Sequence, residues 1–158
     1  MVAHLLWCNL VQNLCTNPSI EIIPCKPLQL GLCVLKTDPI VRLETIELKL
    51  LRGRKLIMHS RGVSKCDDLF RDYLETHEPS INIIDISYFS EEAFIEAEME
   101  NALLISIKEF SFCPPSFLNK PMDEYIPVER GFMYRKDCRP EVKVFIDLLK
   151  QEIVENDL

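Results

Sequence analysis

Ser60-Arg61-Gly62-Val63-Ser64-Lys65 gathers hydroxyls, cations and a glycine where an apolar run ends and a helical pattern begins. A turn of that composition suits an anion. Free backbone N–H groups at a helix start and an adjacent positive side chain can meet a carboxylate without reorganising, and a glycine lets the backbone approach closely. The competing reading is a capped strand-to-helix turn whose cations are solvated. Tyr88 and Phe89 follow the next apolar run and either line the same cleft or pack as ordinary aromatics.

Other reactive residues lack the company that chemistry requires. His59 adjoins the turn and precedes Cys66, yet no spacing supplies further metal ligands or an orienting acid, so a buried or cleft-edge histidine is expected. His77 falls at a helix end, where it caps carbonyls or favours the dipole. The acids Glu91, Glu92, Glu96, Glu98 and Glu100 read as a solvated helix face. Nucleotide-binding glycine patterns and nucleophile elbows are absent from a chain with only 4 glycines. No catalytic residue, metal site or cofactor is expected.

The elements that would position the turn are readable from periodicity. Ile20, Ile22 and Ile23 suggest a strand, Pro24 and Pro27 punctuate it, and Leu28 to Leu35 suggests a second, the prolines confining these parts to edges or crossovers. Asp38-Pro39 breaks the pattern, a short helix is expected over Glu44 to Leu51, and Gly53 ends it. Lys55 to Met58 is a compact strand. Ser64 to Thr76 is an amphipathic helix with Ser64 as N-cap and Leu69, Phe70, Tyr73 and Leu74 as its buried stripe. A strand at Ile81 to Ile86, a Ser90-capped helix from Glu91 to Met99 and a strand at Leu103 to Ile107 complete a βαβαβ alternation. That order favours a parallel or mixed sheet covered on both faces. Beyond it come a loop from Cys113 to about Pro121, an irregular extended segment from Ile126 to Tyr134, and a closing helix from Val142 to Val154 with Val142, Phe145, Ile146, Leu149 and Ile153 on one side. Residues 1–19 are mixed: Leu5, Leu6, Leu10 and Leu14 are partly helical in spacing, while Asn9, Asn13, Asn17 and Pro18 interrupt.

Composition narrows the class. At 158 residues and 47% apolar content the chain can bury a core without staples, and 18 Lys plus Arg against 25 Asp plus Glu give a net charge of −7. Autonomous nucleic-acid binding is therefore disfavoured. The 7 cysteines are odd in number, irregularly spaced and without a Cys-x-x-Cys pair, which fits reduced thiols and a cytoplasmic setting. No export signal is legible at the start, and no apolar run is long enough to span a bilayer.

The order of these pieces resembles a known family. Leu30-Gly31-Leu32-Cys33-Val34-Leu35-Lys36-Thr37-Asp38-Pro39, followed by the run from Ile46 to Ile57, is similar to the effector-binding domain of LysR-type transcriptional regulators, with Asp38-Pro39-Ile40-Val41 at that family's proline turn. Ile126-Pro127, Gly131-Phe132-Met133-Tyr134 and the helix around Val144 to Leu149 look like its final strand and helix. The resemblance covers about Ile20 to Ile153 in pattern. It implies an α/β, periplasmic-binding-protein-like (type 2) lobe with a mixed, mainly parallel sheet flanked by helices, and an incomplete other lobe. Residues 1–31 would be an atypical N-terminal segment and crossover strand of the incomplete first lobe, 32–122 the second lobe, and 123–158 the return strand and closing helix.

The resemblance further implies a sensor rather than an enzyme. A small-molecule effector, anionic by the character of the turn, would bind between the lobes and act on transcription through a helix-turn-helix that this chain lacks. Ser60, Arg61, Gly62, Val63, Ser64, Lys65, Tyr88 and Phe89 would hold it. A homodimer through the effector domain and no membrane partner are expected. The alternatives are a stand-alone solute-binding protein and a non-functional truncated remnant.

Overall fold

The computed structural model describes residues 6–9 by their backbone, and residues 18–109, 113–124 and 126–156. The elements run β1 (Leu6–Asn9), β2 (Ile20–Leu35), β3 (Lys55–His59), α1 (Lys65–His77), β4 (Asn82–Ile86), α2 (Glu91–Glu100), β5 (Leu103–Ile107), β6 (Phe117–Pro121), β7 (Pro127–Arg135) and α3 (Pro140–Asn156), with 3-10 turns at Pro39–Arg42 and Leu48–Leu51. They fall into two compact units, Leu28–Val128 and the combination of Met1–Pro27 with Glu129–Leu158. The spacing of Leu5, Leu10 and Leu14 lies outside the described residues.

In the larger unit the strand order is β2, β5, β3, β4, with β6 also paired to β2. β3 runs parallel to both β4 and β5, whereas β2 is antiparallel to β5 and β6. Alternate side chains explain why helices cover both faces. Leu28, Leu30, Leu32 and Val34 of β2, Leu56 and Met58 of β3, and Leu103, Ile105 and Ile107 of β5 share one core with Phe70 and Leu74 of α1. Cys33, Ile57 and Leu104, one position out of phase, share the other with Ala93 and Ala97 of α2. The small alanines let α2 lie close to the sheet.

The loop between β2 and β3 is set by a buried acid. Asp38 accepts the Ile40 amide at 3.0 Å, starting the turn at Pro39, and pairs with Arg54 just before β3. The helix expected over Glu44 to Leu51 is reduced to one 3-10 turn. Its first part is claimed by a neighbour: Ile46 bridges Met122, with the Ile46 amide on Pro121 O at 2.9 Å and the Asp123 amide on Ile46 O at 3.2 Å. A backbone committed to two such bonds cannot also close helical ones.

In the smaller unit β1 runs antiparallel to β7, Leu6 opposite Met133 and Asn9 opposite Arg130, and β7 lies beside β2. Ile23, Tyr134 and Ile146 form its core, with Val142, Leu149 and Ile153 of α3 against them. Phe145, expected in that stripe, is exposed together with Val144 and Leu148.

Three strand expectations are corrected. β2 continues unbroken through Pro24 and Pro27, both at solvent-exposed positions where a missing N–H is tolerated. The expected loop after Cys113 contains β6, a strand of Phe-Leu-Asn-Lys-Pro whose partner, not its propensity, makes it extended: Leu35 opposes Phe117 and Gly31 opposes Pro121. The segment after Ile126 is a regular nine-residue strand.

Gly31 sits where β2 is crowded from two sides. A Cβ there would lie 2.9 Å from Lys120 O and 3.1 Å from the Lys108 backbone. Gly31→Ala should therefore destabilise the chain by ~1–3 kcal/mol through forced backbone shifts, read as a lowered urea midpoint. A second prediction concerns Glu124, whose Oε2 is buried without a hydrogen-bond partner. Burial, reinforced by neighbouring Asp123, pushes its carboxyl from 4.5 up to about 7. The folded chain then holds this proton more tightly than the unfolded one, so the stability it contributes is present below the unfolded pKa and is lost as pH rises through the folded one. Glu124→Gln should raise the melting temperature relative to wild type at about pH 8 and leave it unchanged at about pH 4, by thermal denaturation across that range.

Candidate functional site

β3 and β4 end together, His59 opposite Ile86, at the carboxyl edge of the parallel strands. Two bonds carry the chain from this edge into the turn: the Ser60 amide donates to Ile86 O at 2.8 Å and Ser60 Oγ to the same oxygen at 3.1 Å. The Val63 amide bonds Ser60 O at 3.3 Å, and Gly62 takes φ +86°, a backbone conformation that side chains resist. Ser64 then caps α1, its Oγ accepting the Asp67 amide at 3.3 Å.

The chain's own carboxylates occupy part of this turn. The Gly62 amide is held by both oxygens of Asp68, at 3.1 and 3.0 Å. Arg61 reaches back over α1 to Asp72 and Glu75, each at 2.8 Å, and these acids hold its guanidinium pKa above the ordinary value. By contrast, among the described residues the Lys65 ammonium has no acid partner, and the Ser64 and Lys65 amides have no acceptor. Val63 is exposed, as is Tyr88. Phe89 packs its ring edge-on against His59, with centroids 4.6 Å apart.

Behind the turn lies a polar network that pattern reading missed. His59 Nδ1 is 2.5 Å from Asp67 Oδ2. Arg71 donates to His59 O at 2.8 Å and to Asp85 Oδ1 at 2.5 Å, tying α1 to the ends of both strands. Asp67 and Arg71 are only 5% and 6% exposed, whereas Leu69 and Tyr73, expected in the buried stripe, are 60% and 42% exposed. The helix thus turns a face of Asp67, Phe70, Arg71 and Leu74 inward. The signal was present as an acid and an arginine four apart, interleaved with two large apolar residues at the same period.

The remaining reactive residues go elsewhere. Cys66 Sγ donates to Pro127 O at 3.4 Å, away from His59. His77 Nδ1 lies 2.9 Å from Tyr73 O and its ring stacks on Tyr73. On α2, Glu98 pairs with Ser116 and Glu100 with Lys55, while a hydrogen bond from Ser90 holds the Glu92 carboxyl below its usual range. No cluster of three metal-ligating side chains occurs among the described residues.

The sequence matches no protein-family model and no curated protein. The fold has clear counterparts among solved structures. The effector-binding domain of QuiR, in complex with shikimate, superposes with a TM-score of 0.72 at 18% identity over 98% of this chain and 73% of that one. A LysR family transcriptional regulator of Pseudomonas aeruginosa, PA01, gives 0.74 at 13% over 94% of this chain and 53% of its own. The CcmR regulatory domain of Synechocystis PCC6803, in complex with 2-PG, gives 0.60 at 15% over 85% and 67%. The chain has the periplasmic-binding-protein-like fold of LysR effector-binding domains, as the sequence pattern implied, and it spans about half the length of the PA01 chain.

Arg71→Met should cost ~1–3 kcal/mol, because the His59 carbonyl loses a charged donor and the strand ends lose their tie to α1. Both bonds leave one nitrogen, Nη2, and an ammonium has three donors, so Arg71→Lys should recover more than half of that; equilibrium denaturation of both variants measures it.

Proposed function

We propose that this chain is the small-molecule-sensing part of a LysR-type transcriptional regulator, acting in the cytoplasm as a homodimer and reaching DNA through a helix-turn-helix supplied outside these residues. The observation that carries the reading is the pairing of this fold with a cation and two amides that, among the described residues, have no partner at the carboxyl edge of its parallel strands. QuiR and CcmR, which share the fold, are bound to shikimate and 2-PG. By analogy the effector here is a small carboxylate or phosphate. Its anionic group sits on the Ser64 and Lys65 amides and the Lys65 ammonium, with Ser60, Gly62 and Val63 shaping the turn and Tyr88 and Phe89 against its apolar part.

Arg61 has a different role within this site. Its charge is spent on Asp72 and Glu75, so it braces the turn against α1 instead of facing the ligand. Occupancy would act by population shift: the ligand binds one conformational state better than another and so favours one arrangement of the regulator on DNA. Nothing in this reading asks the chain to catalyse a reaction.

Isothermal titration of the purified chain against a panel of small carboxylates and phosphates, shikimate and 2-PG among them, tests the site. A ligand that binds wild type should lose ~1.5–3 kcal/mol of affinity in Lys65→Ala, the range of one charge-assisted hydrogen bond, while Arg61→Ala changes Kd by less than about threefold, as expected for an exposed, already paired cation. Equal affinity in wild type and Lys65→Ala would sink the proposed site.

A further inference from the structure

The closing helix of the smaller unit is apolar on two sides. Ile146 of α3 is buried with Ile23 and Tyr134, and Val142, Leu149 and Ile153 pack against them. Val144, Phe145 and Leu148 face away from that core and are 61%, 52% and 55% exposed. At about 100° per residue the three fall within one arc of about 100°, so they form a continuous outward patch. A helix with one apolar stripe is satisfied by one sheet, whereas a second stripe is satisfied only by a second surface. Phe145 is an aromatic of the kind that anchors such contacts.

Charge decides what that second surface is. Exposed Glu141 and Glu155 close the patch at its two ends, in the same arc and about 21 Å apart along the helix axis. Asp147 is exposed on its flank. The two lysines of α3 lie outside the arc: Lys150 turns to Tyr134 Oη at 3.3 Å and Glu21 at 3.8 Å, and Lys143 lies on the side away from Phe145. A second copy fits badly. An antiparallel pair of α3 helices centred on Leu148 sets Glu141 of each copy against Glu155 of the other, and a parallel pair sets each acid against its own counterpart. An anionic membrane surface is repelled by the same acids.

We propose that the outward face of α3 is a docking surface for a cationic amphipathic helix of another protein. That helix lays apolar side chains, spaced i, i+3 or i+4 and i+7, against Val144, Phe145 and Leu148, and brings a lysine or arginine to Glu141 at one end and to Glu155 at the other. Removing Phe145 and Leu148 from water supplies the affinity, while the charges at the two ends fix register and speed encounter. The surface belongs to the smaller unit and is independent of any ligand at the Ser60 to Lys65 turn.

The test follows the fluorescence anisotropy of a labelled synthetic helix of about four turns, with leucines along one face and lysines at both ends of that face, titrated with the purified chain. Saturable binding is expected, weakened by roughly tenfold or more when glutamates replace the peptide lysines or when its residues are shuffled to destroy the apolar face. Raising salt from about 0.05 to about 0.5 M should weaken it several-fold. Val144→Ser with Leu148→Ser should weaken it roughly tenfold, and Glu141→Gln with Glu155→Gln roughly fivefold at an unchanged melting temperature. The proposal is overturned if the peptide does not bind, if the shuffled peptide binds as well, or if either pair of substitutions leaves the affinity unchanged. It is equally overturned if sedimentation shows the chain alone forming a dimer that Val144→Ser with Leu148→Ser dissolves, because a second copy is then the occupant. The glutamine variant leaves every apolar residue in place, so it remains decisive if the serine variant does not fold.

Discussion

Burial of β3 on both faces is the constraint from which the larger unit follows. Leu56, Ile57 and Met58 are consecutive and fully buried, so neither side of the sheet can face water. Two helices are needed, and the parallel connections from β3 to β4 and from β4 back to β5 supply one on each side. That arrangement brings the β3 and β4 strand ends to one edge, with the start of α1 beside them. The candidate turn is thus a by-product of covering the sheet: once α1 must leave the end of β3 and fold over it, first-turn amides without a helical acceptor arise there.

Continuous apolar runs and the Ser64 cap were legible in the sequence, because each is decided by adjacent residues, whereas Ser90 precedes α2 without a side-chain capping bond. Lys55 to Met58 and Leu103 to Ile107 are strands as read, and Ser64 caps α1 as expected. What escaped were features decided by distant partners. β6 is extended because β2 offers it a ladder, and the segment after Glu44 avoids a helix because Pro121 and Asp123 bind Ile46 on both sides. The prolines of β2 misled for the converse reason: a missing N–H matters only where a partner strand would have used it.

The face of α1 shows where hydrophobic periodicity fails on physical grounds. Leu69 and Tyr73 are the more apolar choices, yet Asp67 and Arg71 are the ones buried. Removing both charges from water is costly, and the structure offsets it by giving each a partner on a strand: Asp67 meets His59, and Arg71 meets His59 O and Asp85. Such a network specifies one rotation of the helix over the sheet, which a purely apolar face would leave loosely defined. The candidate turn inherits its register from that choice, since Ser64 and Lys65 are the helix's first residues.

The topology also has a temporal side. The β3, α1, β4 segment is contiguous and can form early through local contacts, whereas β2 is made well before its sheet partners β5 and β6. During synthesis the run from Leu28 to Leu35 therefore leaves the ribosome as an unpaired, highly apolar edge and stays so until most of the larger unit has followed. Pro24, Lys26 and Pro27, immediately upstream and exposed, are residues that natural sheets place beside such edges to discourage pairing with other chains. In β2 they tax the strand little once folded, and they guard it while it waits.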